Sequence, residues 1–254
     1  MRILVLAGKG ESTNAVVNAL LKKYTDITVV IEDDVPMRTF LYRRIKRLGI
    51  VTVAGQLLFM ATLPRQLRRQ SKGRISQIKN LYVLDDSIDY QKKCDVRFVK
   101  SVNHEDTAAI IREICPDIVV VNGTRIISSE ILDIMLCPVI NMHMGITPKY
   151  RGVHGGYWAI VNDDMENCGV TVHLVNAGID TGDIIKQARI EVTKKDNYVT
   201  YPFLQLGEGI RLELEILDDF EKNGKLEAYK TDQQSMLWSH PTIWQYLKNK
   251  SRSR

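Results

Sequence analysis

The sequence predicts an α/β protein: one doubly wound, Rossmann-like, mostly parallel sheet that carries a basic helical insertion. Three observations lead there. Residues 2–7 form a short apolar run that ends in Gly8-Lys9-Gly10, and a second run follows at 27–31. Between them Ala15, Val16, Ala19 and Leu20 recur at helical spacing, so strand, glycine turn, helix and strand make a βαβ unit with a right-handed crossover. Later, the continuous apolar run 118–121 reads as a strand buried on both faces, and 138–141 as another buried strand.

In chain order, Ser12 or Thr13 is the expected N-cap of the first helix, with Lys22 and Lys23 at its end. The 27–31 strand closes on Glu32-Asp33-Asp34. The next strand covers 96–100, and a helix over 104–114 carries Glu105 and Asp106 in its first turn. A short helix over 130–135 precedes the 138–141 strand. From Gly169 the pattern alternates, as a half-exposed strand does, and 184–192 is its expected neighbour. The last long helix spans 198–220. Together these make one domain over 1–223, with an insertion at 35–90 and a short extension at 224–254.

Composition excludes several classes. The four cysteines are widely spaced and form no C-x-x-C pair, so neither zinc nor a disulfide framework is indicated. No histidine has metal-ligand spacing, and no metal is expected. The chain opens on a strand rather than an export signal, and its longest apolar stretch, 48–63, is shorter than the roughly 18–20 residues of a membrane span. A cytoplasmic location is expected.

The segment from Val35 to Leu84 contains no acidic residue. Arg38, Arg43, Arg44, Lys46 and Arg47 precede its apolar centre, and Arg65, Arg68, Arg69, Lys72, Arg74 and Lys79 follow it. Three readings fit: a packed helical insertion with a solvated basic face, a surface for a polyanionic substrate such as a nucleotide, or peripheral membrane contact through 35–80. No nucleic-acid-binding motif accompanies the charge, so a nucleic acid is not expected as a partner.

The chemistry centres on Asn141 and His143, with Asp180 between Gly178 and Gly182. Asn122-Gly123-Thr124, Asn141 and His143 all follow predicted strands, at the carboxyl edge where such sheets bind ligands. Positions 141 and 143 project to the same side. Acyl transfer between nitrogens needs a donor for an oxyanion and an acceptor for an ammonium proton. Asn141 can supply the first and His143 either, with Asp180 orienting the imidazole and raising its pKa.

Asn141-x-His143, then Pro148-Lys149-Tyr150-Arg151-Gly152-Val153-His154, Gly169-Val-Thr-Val-His173 and Asp180-Thr-Gly182 resemble the folate-dependent formyltransferase family, nearest to its sugar N-formyltransferases and glycinamide ribonucleotide formyltransferases. The likeness covers 95–222 well and 2–31 loosely. It implies the fold of that family, N10-formyltetrahydrofolate as donor, and Asn141, His143 and Asp180 as the catalytic trio. It also implies a folate pocket formed by Asn122, Gly123, Thr124, Arg125 and Ile127 with Val175, Asn176, Ala177 and Gly178. Gly8, Lys9 and Gly10, and Lys149, Tyr150, Arg151 and His154, match positions near the acceptor. The Thr147-Pro148 bond corresponds to one often cis in the family. His173 and His154 are as readily structural as functional, and Tyr157 and Trp158 are core aromatics or substrate-stacking rings.

Glu11 beside the glycine turn would repel a phosphate, and the insertion has no counterpart in the compact purine enzyme. About 30 residues after the last long helix are too few for the C-terminal barrel of the tRNA enzyme. The expected acceptor is therefore the primary amine of a nucleotide-linked amino sugar, as in lipopolysaccharide biosynthesis. Glycinamide ribonucleotide as acceptor, hydrolysis of the formyl-folate, and a non-catalytic folate-binding role are the alternatives. A homodimer is left open.

Overall fold

The computed structural model describes residues 1–250. Its chain runs β1 (Ile3–Ala7), α1 (Glu11–Leu21), β2 (Ile27–Glu32), α2 (Met37–Leu48), α3 (Ile50–Gln70), α4 (Lys72–Leu81), β3 (Asp95–Val99), α5 (Glu105–Ile114), β4 (Ile118–Asn122) and α6 (Ser129–Leu132). It continues through β5 (Val139–His143), β6 (Arg151–Gly152), α7 (Gly155–Val161), β7 (Gly169–Leu174), β8 (Ile184–Arg189), α8 (Tyr201–Asn223), β9 (Leu237–Trp238) and α9 (Ile243–Asn249).

The main sheet has the order β3-β2-β1-β4-β5-β7-β8. Its first five strands are parallel, and β7 and β8 add antiparallel at one edge. Strands β1 and β4 are buried at every position, which is why they read as unbroken apolar runs. The order in which strands are added reverses between β1 and β4, opening a crevice beyond their carboxyl ends. Gly8 is needed there, because a Cβ would lie 2.4 Å from the Gly123 carbonyl oxygen.

Several boundaries differ from the sequence reading. Helix α1 starts at Glu11, and Thr13 donates its hydroxyl to the Gly8 carbonyl at 2.6 Å instead of capping. His104 is the N-cap of α5, its ring accepting from the Asp106 amide. Asn141 and His143 lie within β5 rather than on a loop beyond it. The insertion is three helices, α2 to α4, and its side chains Phe59, Ile75 and Ile78 enter a core with α7 and α8. The segment after α8 returns across the molecule: β9 pairs with β6, and α9 packs on α3 through Tyr246 and Phe59, rings 5.1 Å apart. Thr242 and Gln245 form a capping box that starts α9.

Candidate active site

A cavity of about 490 Å³ lies beyond the carboxyl ends of β4 and β5. Asn141 and His143 from β5, His173 from β7 and Asp180 from the loop after it share its floor. Strands β5 and β7 are antiparallel neighbours with Asn141 opposite His173, so sheet register brings the two side chains together. Asn141 Nδ2 lies 3.1 Å from His173 Nε2. The other ring nitrogen, His173 Nδ1, lies 2.7 Å from the Leu174 carbonyl oxygen. A neutral ring protonated at Nδ1 satisfies both contacts: it donates to Leu174 and accepts from Asn141.

His143 is held from two sides. Its Nε2 lies 2.7 Å from the carbonyl oxygen of Tyr150 and its Nδ1 3.3 Å from Asp180 Oδ2. A carbonyl can only accept, so Nε2 carries a proton and Nδ1 is the nitrogen left to gain or lose one. Gly145 makes the first contact feasible, since a Cβ there would stand 2.3 Å from the Tyr150 oxygen and 2.8 Å from His143 Nε2. Burial lowers the His143 pKa, and outweighs the Asp180 charge and the Tyr150 carbonyl, which both raise it. The expected upward shift from Asp180 is thus real but the smaller effect.

Asp180 adopts φ 49°, an uncommon backbone region in which Asp is among the better tolerated residues. Burial pushes its pKa up, but the charge of His143, the His173 ring 3.8 Å away and the Gly152 amide bring it below the ordinary value. That amide donates to Asp180 Oδ2 at 2.9 Å, and Arg151 Nη1 donates to the Ile179 carbonyl at 2.9 Å. The loop carrying Asp180 is therefore tied to the segment that follows Tyr150.

Two loops wall the cavity. Gly123, Thr124, Arg125 and Ile127 stand on one side, and Val175, Asn176 and Gly178 on the other. The buried Glu32 carboxylate shapes the first loop by accepting from the Arg125 amide at 2.6 Å and pairing with its guanidinium. Two residues assigned here by sequence point elsewhere. Asn122 donates to Thr13 Oγ1 at 2.9 Å, away from the cavity, and Ala177 is exposed outside the wall.

The residues matched to an acceptor site do not line this cavity. Lys9 pairs with Asp33 at 2.9 Å, beside a separate shallow cleft that it lines with Gly8. Gly10 sits at the start of α1, where Arg68 of the insertion contacts both carboxylate oxygens of Glu11. Lys149 pairs with Asp164 at 2.5 Å, and the Tyr150 ring is buried with its hydroxyl on the same carboxylate. His154 lies one layer back, its Nε2 2.6 Å from the Tyr198 hydroxyl and 3.0 Å from His240 Nδ1. Burial drives its pKa down to about 3, and that of His240 to about 4. Tyr157 and Trp158 are core aromatics, with Trp158 stacked on Trp238 at 4.7 Å.

Phe40, Arg44 and Arg47 of α2, and Trp238, Ser239 and His240 near β9, form the rim. Sequence reasoning did not assign them. Gln56 joins the two segments: it accepts from Arg44 at 2.5 Å and donates to the His240 carbonyl at 2.6 Å. The basic run of α2 is the only sequence signal that pointed toward this rim.

A family model described as formyl transferase matches residues 1–202. The methionyl-tRNA formyltransferase of Paraburkholderia phytofirmans is 32% identical over 186 residues, covering 71% of this chain and 56% of that protein. The chain spans about half, or less, of the length of the first curated relatives it matches. Among solved structures, a sugar N-formyltransferase from a Shewanella species superposes with TM-score 0.56 at 16% identity, over 94% of this chain and 76% of that one. An N-formyltransferase from Helicobacter canadensis, in complex with folinic acid and dTDP-3-aminofucose, gives TM-score 0.54 at 18% identity, over 94% and 71%. At such identities the likeness speaks for the fold.

Proposed function

Because this chain belongs to the formyl transferase family, we propose that it moves a formyl group from N10-formyltetrahydrofolate to a primary amine. The observation that carries the reading is the set of Asn141, His143 and Asp180 on one cavity floor. The two loops suit a flat heterocycle, since Val121, Ile126, Ile127 and Val175 offer apolar walls and Gly123 leaves its side open. When bound, the donor supplies an activated formyl carbon.

His143, kept neutral by burial, accepts at Nδ1 the proton that the attacking amine loses. The ring then gains a charge 3.3 Å from the ionised Asp180, whose depressed pKa keeps it a carboxylate. Asn141 uses one amide hydrogen on His173 and turns the other toward the oxygen that gathers negative charge. A carbon–nitrogen bond forms to the acceptor as the bond to folate N10 breaks, and N10 takes up the proton that His143 received, which returns the ring to its neutral form. Tyr150, through its carbonyl, fixes which nitrogen of His143 does the work.

For the acceptor, the reading is an amino sugar carried on a nucleotide. The cationic Arg44 and Arg47 beside Phe40 and Trp238 suit a phosphate-bearing, ring-containing molecule. The curated relatives are named methionyl-tRNA formyltransferases, which favours an aminoacyl-tRNA as the second reading. A steady-state formylation assay across nucleotide amino sugars, glycinamide ribonucleotide and methionyl-tRNA separates them. Turnover confined to methionyl-tRNA would replace the first reading with the second. Near-normal turnover in His143→Ala would sink the mechanism for every acceptor.

A further inference from the structure

The solvent face of α3 changes character along its length. Ile50 and Val51 are 69% and 71% exposed, and Leu58, about two turns on, is 53% exposed. Ala54, Leu57 and Ala61 are exposed at matching helical spacing, so the first half of the helix shows water a continuous apolar stripe. The same stripe turns cationic after Pro64 with Arg65, Arg68 and Arg69, and Lys72 continues it into α4. A concavity of about 460 Å³ is ringed there by these four cations and Lys79. Arg68 and Lys79 are paired with Glu11 and Asp86, so the charge offered outward is that of Arg65, Arg69 and Lys72. At 1.5 Å per residue, Arg65 lies about 10 Å along the axis from Leu58.

The apolar end is broadened by its neighbours. Tyr42 of α2 is exposed, as are Trp244, which covers Gly55 of α3, and Leu247 of α9. No helix among the described residues is long and apolar enough to cross a membrane. Exposed apolar contacts of this kind mark a surface that something covers. A second copy of this chain is disfavoured as the occupant, because a two-fold contact would oppose two faces drawn from a segment with no acidic residue between Val35 and Leu84.

We infer that the α2–α3 face docks on an anionic lipid bilayer. The apolar residues around Ile50, Val51 and Leu58 enter the headgroup–acyl boundary, and the Arg65–Lys72 cluster takes lipid phosphates. Tyr42 and Trp244, apolar rings with polar tips, flank the inserted part. Since α2 also lines the cavity through Phe40, Arg44 and Arg47, the bound orientation holds the cavity mouth near the lipid surface.

The test is co-sedimentation of the whole chain with phosphatidylcholine vesicles that contain or lack phosphatidylglycerol. Binding is expected only with the anionic lipid, weakening as salt rises. Val51→Asp/Leu58→Asp and, separately, Arg65→Glu/Arg69→Glu should each reduce the partition coefficient about tenfold or more while circular dichroism stays unchanged. Glycerol phosphate in millimolar excess should not displace the protein. Absence of binding to anionic vesicles overturns the inference. So does undiminished binding of Val51→Asp/Leu58→Asp, which would indicate adsorption by charge alone. Equal affinity for vesicle-free RNA of similar charge, or a dimer that the same pair dissociates without altering vesicle binding, would assign the face to another occupant.

Discussion

At the floor of the cavity, Asn141, His143, His173 and Asp180 reach one another across two adjacent strands and the loop that joins them to β8. At the rim, Phe40 and Arg47 of one helix meet Trp238 and His240 from the far end of the sequence, on a two-residue strand and the turn after it. The floor is buried and its ring nitrogens are nearly all committed to partners; the rim is cationic and partly open. The contrast teaches that one region can serve a fixed reaction while the other adapts to the molecule that receives the group.

The hardest blow to that division is aimed at the floor. His143→Ala should lower kcat by about 10²–10⁴ with the fold intact. Asn141→Ala removes one oxyanion donor and should cost about 10²–10³ in kcat. If both changes moved only KM, floor and rim would not differ in role. At the rim, Arg47→Ala should raise KM for the acceptor by about tenfold, roughly the loss of one good contact, and leave kcat largely unchanged. A drop in kcat of the size seen at His143 would erase the contrast.

Gly145→Ala sharpens it from inside the floor. The added methyl intrudes between the Tyr150 carbonyl and the His143 ring, a crowding that should cost about 1–3 kcal/mol of stability and reduce kcat together. Thermal unfolding and kinetics on the same sample check both. The pH dependence gives a finer measure. Activity needs neutral His143, whose pKa is lowered, so the acid limb of kcat/KM should fall below about pH 6.5, the ordinary histidine value. A limb above that value would mean that the Asp180 charge outweighs burial.

A separate effect, read in stability rather than rate, sits at the back of the rim. His154 and His240 have folded pKa values depressed to about 3 and about 4. Depressed values mean that the unfolded chain takes up protons first. Their stabilising contribution is complete above about pH 6.5 and is lost as pH falls toward 4, at about 1.4 kcal/mol per pH unit for each histidine. Urea midpoints measured from pH 7 to 5 should drop less in His240→Gln than in the native chain.

How much of this was legible depends on how local the physics is. Strands β1 and β4 were readable because burial on both faces leaves nearly unbroken apolar runs. Asn141 and His143 could be paired because alternation along one strand puts them on the same side. Tyr150 was read as a substrate contact, yet its carbonyl holds His143 while its ring is buried, and backbone groups leave no trace in residue identity. Glu11 looked like a charge to be avoided; its partner Arg68 sits in the insertion, where no pattern near Glu11 could reveal it. Trp238 and His240 were invisible for the same reason, since the segment after α8 reaches the cavity only by folding back across β6.

Gln56 is a single buried amide whose two ends are shared between Arg44 and the Ser239–His240 turn. Either segment alone would leave part of that amide without a partner in the interior, at a cost of about 1–3 kcal/mol. For anyone grafting a new acceptor preference onto this scaffold, the three-helix insertion and the terminal strand–helix pair form one cassette. A donor sequence would have to contribute both pieces, cut from the same parent, while the sheet that carries the reaction is kept.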